Sequence, residues 1–511
     1  MKPIHILLLA TLAAAGALLC CTPKNGGAET PSDPSGPVTP GTPETPDTPP
    51  TPDPDPTPVQ CIDAPLTLNL SAAPVLGSAG SICVYQDNGT LVDRIDLADL
   101  AQVQIREDGA MVPKEKVTAD TPFHTFLDVI PSGSRYRIVP FTPLRVKDKA
   151  LEIKLHGKVL DFGKTYYVTV DAGVVKDHPG VKAKDWTFKV KDKPASAELK
   201  VRKDGSGDFC TVQGALSYAA TLGKATAVTL DIGAGTYEEM LFLRDKDNVT
   251  LKGASRSGTV IAYPNAENYC GGTGASTGTK PKSGSKIATS GGRCLFLAEN
   301  CDALTLQSLT LRNTFDNPKG QAETIYFNSG SNAHRLTVED CALWSYQDTF
   351  LCKGVVWVHN SLIAGHCDFI WGYPAACLFE GCEIRARDAG YIVQARIQKA
   401  TDKGFVFLNC RLTAESGVKD GSMYLARSGG SADYFDNVTF VGCTLSPVIA
   451  GAGWYTNPAP NPSAPTAQSG WKEYGSVSAS GTPVTGHNNY GKVLTQAEAA
   501  AFSSRQAVLG Y

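Results

Sequence analysis

The chain has 511 residues and a formal net charge of −3, from 47 basic and 50 acidic side chains. A chain of this length exceeds what one hydrophobic core usually organises, so two or more domains are expected. Because no block of basic residues stands out, no nucleic-acid partner is predicted. Short alternating apolar runs, scarce amphipathic helical patterns and 50 glycines indicate an all-β chain.

Residues 1–21 have the features of a bacterial leader. The apolar run ILLLATLAAAGALL follows Lys2 and is too short for a membrane span, which indicates a secretory signal. It ends in LLCC, which resembles the lipobox of bacterial lipoproteins and implies acylation of Cys21, although Cys20 stands where Gly, Ala or Ser is usual. We therefore expect a secreted protein that is lipid-anchored to the bacterial outer membrane or cell surface. Secretion without an anchor is the alternative.

Two segments precede the main domain. Residues 22–58 are rich in Pro, Thr, Asp and Gly, a composition that buries no core, so an extended tether is predicted. Residues 59–193 contain short alternating runs such as SICVYQ, YRIVPF and KTYYVTVD, which predict a small β-sandwich. It resembles bacterial Ig-like domains, and we expect a spacer or a weak glycan-binding module. Cys61 and Cys83 are candidates for a disulfide.

The main domain, residues 197–511, opens on a strand, the Gly-rich turn DGSG and a helix predicted over about 211–222. Such a turn can bind phosphate, but no P-loop Lys-Ser/Thr follows, so a cap that closes the end of the domain is favoured. Near the other end, Thr495 and Glu498 have capping-box spacing, which predicts a short helix packed back on the domain. The stretch 454–483 is rich in Pro, Ser and Gly and is predicted to be a surface loop.

Similar segments follow one another between these ends, each with a short strand, a polar or glycine corner and a second strand. Five cysteines occupy the corner: Cys301, Cys341, Cys382, Cys410 and Cys443. Ser361 fills it once, 20 residues after Cys341 (361 − 341). Rungs of about that length predict a parallel β-helix with stacked free thiols inside. No Cys/His cluster has zinc spacing, so no metal site is predicted.

Two carboxylates, Asp348 and Asp368, lie 20 residues apart (368 − 348), with the strand-like run KGVVWVHNSLIAG between them. If one turn of the coil takes that many residues, the two carboxylates come to neighbouring rungs and face each other on one wall. A pair of carboxylates suits acid–base and nucleophilic chemistry.

The motifs DGSGDF with TVQ, GTYEE, QAET, YQDTF, DFIWG and YLAR occur in this order over residues 199–511. Together they resemble the pectin methylesterases, and YQDT followed by DFIWG is the specific part. The resemblance implies a right-handed parallel β-helix that removes methyl esters from polygalacturonate and releases methanol. It implies no metal and no other cofactor. Pectic polysaccharide is the expected partner, and a monomer is expected.

The resemblance also implies roles at matching positions. Asp368 of DFIWG would be the nucleophile on the ester carbonyl, and Asp348 of YQDT the general acid that protonates methanol and then the base for water. Gln347 and Gln321 would donate hydrogen bonds to the oxyanion, and Arg427 would hold the Asp368 carboxylate ionised and oriented. Independently of any family, an ester carbonyl needs a nucleophile, a proton donor and oxyanion donors.

The sequence departs from the family at the edge of the cleft. The family usually reads LGRPW where this chain reads LARSG, so Gly429 stands in place of a Trp, and QAETI replaces QAVAL. These departures indicate a shifted substrate, such as a shorter, branched or acetylated pectic fragment. Four aromatic residues are candidates for stacking on sugar rings, although each equally fits a core: Trp371, Tyr326, Phe350 and Trp454.

Other functions on the same scaffold would require other residues. A pectate lyase would need a Ca²⁺-binding carboxylate cluster with a basic side chain, and a polygalacturonase a further Asp pair on the wall. The set of two Gln, two Asp and one Arg fits neither. A non-catalytic glycan-binding protein is the remaining alternative, and the missing Trp is its best argument.

Overall fold

The structure is a computed structural model that describes residues 57–100, 103–105, 111–113, 127–267, 269–276, 291–315, 317–318, 320–484 and 486–511. The predicted signal, Cys21 and nearly all of the predicted tether lie outside the described residues. Within the described ranges, no helix is both long enough and apolar enough to span a membrane.

The first described segment consists of short strands and one helical turn, α1 (Leu97–Leu100). The strands are β1 (Val59–Gln60), β2 (Leu66–Asn69), β3 (Ser81–Gln86), β4 (Leu91–Asp96), β5 (Val103–Ile105), β6 (Met111–Pro113), β7 (Leu127–Ser132), β8 (Arg135–Pro140), β9 (Leu144–Lys147), β10 (Ala150–Ile153), β11 (Thr165–Val170) and β12 (Thr187–Val190). One sheet has the order β1-β12-β11-β3-β4, and a second has the order β2-β10-β9.

The two sheets share one core, which makes this segment a β-sandwich. Leu66, Leu151 and Ile153 of the smaller sheet pack in the same cluster as Val84 and Val168 of the larger one. Burial alternates along strands such as β11, as a sheet with one solvated face requires. The Ig-like assignment stays a prediction.

One predicted sandwich strand lies elsewhere. The run YRIVPF falls largely in β8, which pairs only with β7 in the 127–140 hairpin. Ile130 and Val139 of this hairpin pack against the outer face of the main domain, on Phe242, Leu297 and Tyr326. The assignment of this run to the sandwich was therefore wrong. Alternation shows that one face of a strand is buried, but it does not show which core covers that face.

The main domain is a coil of parallel strands. They are β13 (Glu198–Val201), β14 (Val228–Ile232), β15 (Gly235–Tyr237), β16 (Leu241–Arg244), β17 (Val249–Gly253), β18 (Thr259–Tyr263), β19 (Phe296–Glu299), β20 (Leu304–Gln307), β21 (Thr310–Asn313), β22 (Ile325–Asn328), β23 (Arg335–Glu339), β24 (Ala342–Trp344), β25 (Phe350–His359), β26 (Leu362–Glu380), β27 (Glu383–Ala395), β28 (Gly404–Leu408), β29 (Arg411–Ala414), β30 (Met423–Arg427), β31 (Val438–Val441), β32 (Thr444–Leu445), β33 (Trp454–Tyr455), β34 (Trp471–Tyr474), β35 (Val477–Ser478) and β36 (Gly491–Val493).

These strands pair in parallel with a repeat of three, so that β14 lies on β17, β15 on β18 and β16 on β19. The coil therefore has three sheets, and the long strands β25, β26 and β27 bend from one sheet into the next. This arrangement confirms the predicted parallel β-helix.

Helices cover one end and one side of the coil: α2 (Val212–Ala219), α3 (Gln496–Ala499), a 3₁₀ turn (Ala500–Phe502) and α4 (Arg505–Leu509). Helix α2 is shorter than the predicted helix over about 211–222, and its N-cap is Thr211. Carboxylates of Asp63 and Glu239 accept hydrogen bonds from amides at its start. The N-terminus of α2 is therefore bound by carboxylates of the protein itself, as expected for a helix that closes the end of the coil. Thr495 and Glu498 form the predicted capping box.

The coil interior holds a column of aromatic rings in contact, in the order Phe350, Phe379, Phe407, Phe440, Trp454 and Trp471; the first pair meets edge to face, Phe440 and Trp454 are tilted, and the other pairs are stacked. Phe350 is 0% exposed and Trp454 is 1% exposed. The prediction that these two rings stack on a substrate is therefore wrong, because both point into the core. The stretch 454–483 is likewise not all loop, since it supplies β33, β34 and β35.

All five corner cysteines are buried free thiols: Cys301, Cys341, Cys382, Cys410 and Cys443. Four of them follow one another with Ser361 at one corner of the coil, before β24, β27, β29 and β32, whereas Cys301 lies at another corner, between β19 and β20. Most are preceded by an Asn, Asp or Gly with a positive φ, such as Asn300 (50°), Asp340 (50°) and Asn409 (53°). These residue types accept the left-handed conformation that the corner requires. The predicted stack of free thiols is confirmed for Cys341, Cys382, Cys410 and Cys443 and is wrong for Cys301, because Leu309 occupies the position next to Cys341 in this column.

Candidate active site

The outer face of one sheet positions the site. We call this the third sheet; it contains β16, β19, β22, β30, β33 and parts of β25, β26 and β27. Its register aligns one outward column of side chains: Phe242, Leu297, Tyr326, Leu351, Trp371, Gln394, Arg427 and Tyr455. The first five are apolar or aromatic and belong to one buried cluster with Ile130 and Val139 of the 127–140 hairpin. The column then becomes polar, and the candidate residues gather at this change.

Asp348 and Asp368 lie on consecutive turns beside this column, as their spacing predicts. The amide of Asp348 donates a 3.0 Å hydrogen bond to the carbonyl of Cys367. Both aspartates have a positive φ, 67° and 46°, and both are nearly buried at 3% and 4% exposure. Residues other than glycine rarely adopt this backbone conformation, and those that do are concentrated at functional sites.

Both oxygens of Asp368 accept hydrogen bonds from cationic or amide donors. Arg427 Nε lies 2.7 Å from Oδ1, and Arg427 Nη2 contacts Oδ2. Gln394 Nε2 donates to Oδ2 at 3.0 Å. The hydrogen bonds to Asp368 raise the pKa of Arg427. A bidentate guanidinium and an amide together fix the orientation of the Asp368 side chain.

Asp348 has the opposite surroundings, because several carboxyl groups share one guanidinium. Arg293 Nη2 lies 2.6 Å from Asp348 Oδ2, while Nε contacts Glu323 Oε1 at 3.0 Å and Nη1 contacts Glu267 Oε2 at 2.9 Å. Burial raises the pKa of Asp348 well above its usual range; the charges of Glu323 and Asp368 raise it further, and Arg293 opposes them. A carboxyl group with a raised pKa keeps its proton and can act as an acid.

Gln321 and Gln347 are brought together by a parallel β-bridge between them. Gln321 Oε1 accepts a 2.7 Å hydrogen bond from Arg293 Nη1, which leaves its amide nitrogen as a donor. Neither side-chain nitrogen has a hydrogen-bond partner in the described part of the chain. Two amide donors without a partner among the described residues, beside two carboxyl groups in opposite surroundings, suit nucleophilic acyl transfer.

Four residues of the site were missed from the sequence: Arg293, Glu323, Gln394 and Arg396. Arg396 donates from Nε to Gln394 Oε1 at 3.0 Å and from Nη1 to the Tyr373 hydroxyl at 3.0 Å. Glu323 carried a signal, because a carboxylate just before the apolar strand β22 implies a cationic partner if it is buried. Arg293 carried none, because its partners lie 26 to 55 residues away.

The two remaining aromatic candidates are each 5% exposed. Tyr326 lies beneath the hairpin and donates from its hydroxyl to Asn328 Oδ1, so its assignment to substrate binding was wrong. Trp371 lies between two guanidinium groups, 5.9 Å from that of Arg293 and 5.0 Å from that of Arg396. Its role in substrate binding stays a prediction.

A cavity of about 220 Å³ opens beside the site. Its walls are formed by Ala395, Arg396, Ser428, Gly429, Ser431, Tyr434 and Asp436. Ala395 and Ser428 directly follow Gln394 and Arg427, the two residues that contact Asp368.

Cys61, Asp63 and Cys210 bring ligand-type atoms within 4.8 Å of one another, far along the chain from the two aspartates. The Asp63 carboxylate already accepts from the amides of Cys210 and Thr211, at 2.9 and 2.8 Å. The cluster therefore joins the loop between β1 and β2 of the sandwich to the start of the coil. The thiol of Cys61 lies within 4.8 Å of that of Cys210. The thiols of Cys61 and Cys83 are both free, so the candidate disulfide between them is not formed.

Comparison with known proteins covers the coil. The family model described as Pectinesterase matches residues 198–510. Pectinesterase 31 of Arabidopsis thaliana is 30% identical over 260 residues, which span 50% of this chain and 76% of that protein. Pectinesterase A of Emericella nidulans is 28% identical over 257 residues, 49% of this chain and 72% of that protein.

Solved structures match at lower similarity. The pectin methylesterase PemA from Erwinia chrysanthemi has a TM-score of 0.48 and 24% identity, and covers 62% of this chain and 98% of its own. A pectin methylesterase in complex with a hexasaccharide has a TM-score of 0.48 and 25% identity, over 61% of this chain and 97% of its own.

Proposed function

Because this chain belongs to the pectinesterase family, we propose that Asp368 and Asp348 hydrolyse the methyl esters of pectin as nucleophile and general acid. The fold is the right-handed parallel β-helix expected of such an enzyme, and pectic polysaccharide is its partner. One observation carries the assignment of roles. Two aspartates on consecutive turns have opposite surroundings, one held by Arg427 and Gln394, the other crowded by Glu323.

The reaction follows from these surroundings. An Asp368 oxygen attacks the ester carbonyl carbon, and the amide nitrogens of Gln321 and Gln347 donate to the oxyanion that forms. The carbon–oxygen bond to the methoxy group breaks as Asp348 transfers its proton to that oxygen, which releases methanol and leaves an acyl anhydride on Asp368. Water then attacks the acyl carbon while Asp348 accepts its proton, and Asp368 is regenerated as a carboxylate.

The remaining buried residues position these groups. Arg427 and Gln394 occupy the lone pairs of Asp368 that do not point at the ester, so only one orientation is available. Arg293 holds Asp348 while sharing its charge with Glu323 and Glu267, so that Asp348 retains its proton without losing its place.

Methanol release from highly methylated pectin by the purified protein tests this function. We expect Asp368→Asn and Asp348→Asn each to lower the rate by about 10⁴-fold, as removal of a central catalytic group does. Asp388→Asn, which changes an exposed aspartate of β27, is the matched control and should leave the rate unchanged. Pectin binding should persist in both active-site variants. Full methanol release by Asp368→Asn would refute the assigned nucleophile, and no release by the unaltered protein would favour the glycan-binding alternative.

We also propose that the protein is a secreted monomer anchored by a lipid on Cys21, which the LLCC motif and the Pro- and Thr-rich tether support. Cys21→Ser should abolish incorporation of labelled palmitate and move the protein from the membrane fraction to the soluble fraction. Labelling that persists in this variant would place the anchor elsewhere.

A further inference from the structure

The cavity beside Asp368 exists because residue 429 has no side chain. A Cβ atom built on Gly429 would come no closer than 3.7 Å to any atom, the nearest being Gln394 Cδ and Oε1, and its φ is not in the left-handed region. Neither the backbone nor the packing therefore requires glycine at this position. A large side chain here would instead occupy the space of the cavity.

The walls of the cavity offer both hydrogen-bond acceptors and donors. Asp436 accepts through Oδ2 from Ser428 Oγ and from the Asn461 amide, both at 2.8 Å, whereas its Oδ1 has no partner among the described residues. Burial raises the pKa of Asp436 to about 6. Arg396 uses three of its five N–H donors on Gln394 and Tyr373, which leaves two for a ligand.

An aromatic wall completes the set. The Tyr434 ring meets Tyr373 edge to face at 5.6 Å, which fixes its orientation, and its hydroxyl has no partner in the described part of the chain. A carboxylate acceptor, a guanidinium donor and an aromatic ring are the groups that bind adjacent hydroxyls and the apolar face of a sugar.

We propose that this cavity binds one neutral sugar unit carried as a branch on the pectic chain, close to the ester that is hydrolysed. This inference rests on the proposed function. An acidic sugar would bring its carboxylate against Asp436, which disfavours it. The volume of about 220 Å³ lies below the range of about 300–1,000 Å³ of pockets for larger ligands, so a single ring is accommodated. The ligand would contact a wall that includes Ala395 and Ser428, which directly follow Gln394 and Arg427, the two residues that hold the nucleophile.

The test compares kcat/KM for methanol release on two substrates: methylated galacturonan with single xylose branches, and the same backbone after debranching. For the unaltered protein we expect the branched substrate to be preferred by about tenfold, the effect of one or two good hydrogen bonds. Gly429→Trp should reduce this ratio to about one, while Gly429→Ala, which leaves most of the cavity open, should keep it. Gly451→Trp is the control, because Gly451 is an exposed glycine with open space and no left-handed φ.

A second measurement separates binding from turnover. The branched oligosaccharide without methyl esters is titrated calorimetrically into the unaltered protein, Gly429→Trp and Asp436→Asn, with thermal unfolding as a check that each is folded. Binding weakened about tenfold in both variants supports the cavity as the branch site. A ratio near one in the unaltered protein, or a ratio that Gly429→Trp leaves unchanged, overturns it while the esterase stands. Absence of methanol from both substrates would instead overturn the proposed function.

Discussion

The two halves of the third sheet differ in what lies over them. The first half presents Phe242, Leu297 and Tyr326 in one column, and the 127–140 hairpin buries these side chains to between 0% and 5% exposure. The second half continues the same column with Gln394 and Arg427, and the Arg427 side chain is 30% exposed. The backbone register is continuous between the halves. A regular scaffold therefore supplies positions, and the covering segment decides which of them remain open to a ligand.

One arginine is associated with each half of the third sheet, and the two arginines have different roles. Arg137 of the hairpin is fully buried, and its guanidinium donates to the carbonyl oxygens of Leu241 (2.7 Å), Leu295 (2.8 Å), Gly292 and Cys294. Arg427 in the open half donates to the Asp368 carboxylate. The first arginine fastens a covering element by satisfying backbone acceptors, and the second holds a reactive group. Loss of the first should lower stability, and loss of the second should lower activity.

Of the changes that test this comparison, the largest effect is expected at Arg427. Arg427→Met leaves the nearly buried Asp368 without its cation, and breaking such a pair costs about 3–5 kcal/mol. If this cost falls on the reaction, methanol release should fall by about 10³-fold. Arg411→Met is the control, because Arg411 forms a surface ion pair with Glu383. Initial-rate assays make the comparison, and a loss of less than tenfold would contradict the role of Arg427.

A smaller effect is expected in the covered half. Arg137→Met removes the donor of four carbonyl groups, and we expect the free energy of unfolding to fall by about 3 kcal/mol, with little change in kcat. Urea denaturation measures it. Arg145→Met changes an exposed arginine of β9 and should cost less than about 1 kcal/mol. Equal unfolding curves for the two variants would show that the hairpin is not held by Arg137.

The subtlest effect is a change in pH dependence. Glu323 raises the pKa of Asp348, so Glu323→Gln should lower it and also free Arg293 to pair with Asp348, which lowers it further. Asp348 must be protonated to release methanol, so kcat/KM falls as pH rises through its pKa. The alkaline fall of the profile should therefore move to lower pH in Glu323→Gln. A shift to higher pH would mean that Asp348 is not the acid.

Much of the site could be predicted because its members carry local signals. Asp348, Asp368 and Arg427 fall in recognisable motifs, and the spacing of the two aspartates equals one turn of the coil. Phe350 and Trp454 were misassigned because an apolar side chain in a strand does not reveal whether it points into the coil or out of it. Tyr326 does point outward, but a segment nearly 200 residues earlier in the chain covers it.

The sequence by itself determined the periodic features of this protein. The coil, the cysteine column, the left-handed corners and the neighbouring aspartates all follow from residue types that recur at matching positions of successive turns, because each turn repeats the same local geometry. Only the tertiary structure decided how the coil is covered and completed. The docking of Arg137, the sharing of Arg293 among three carboxylates and the cavity at Gly429 join groups about 10 to 160 residues apart without a period. Such contacts depend on how separate elements pack, which local spacing does not encode.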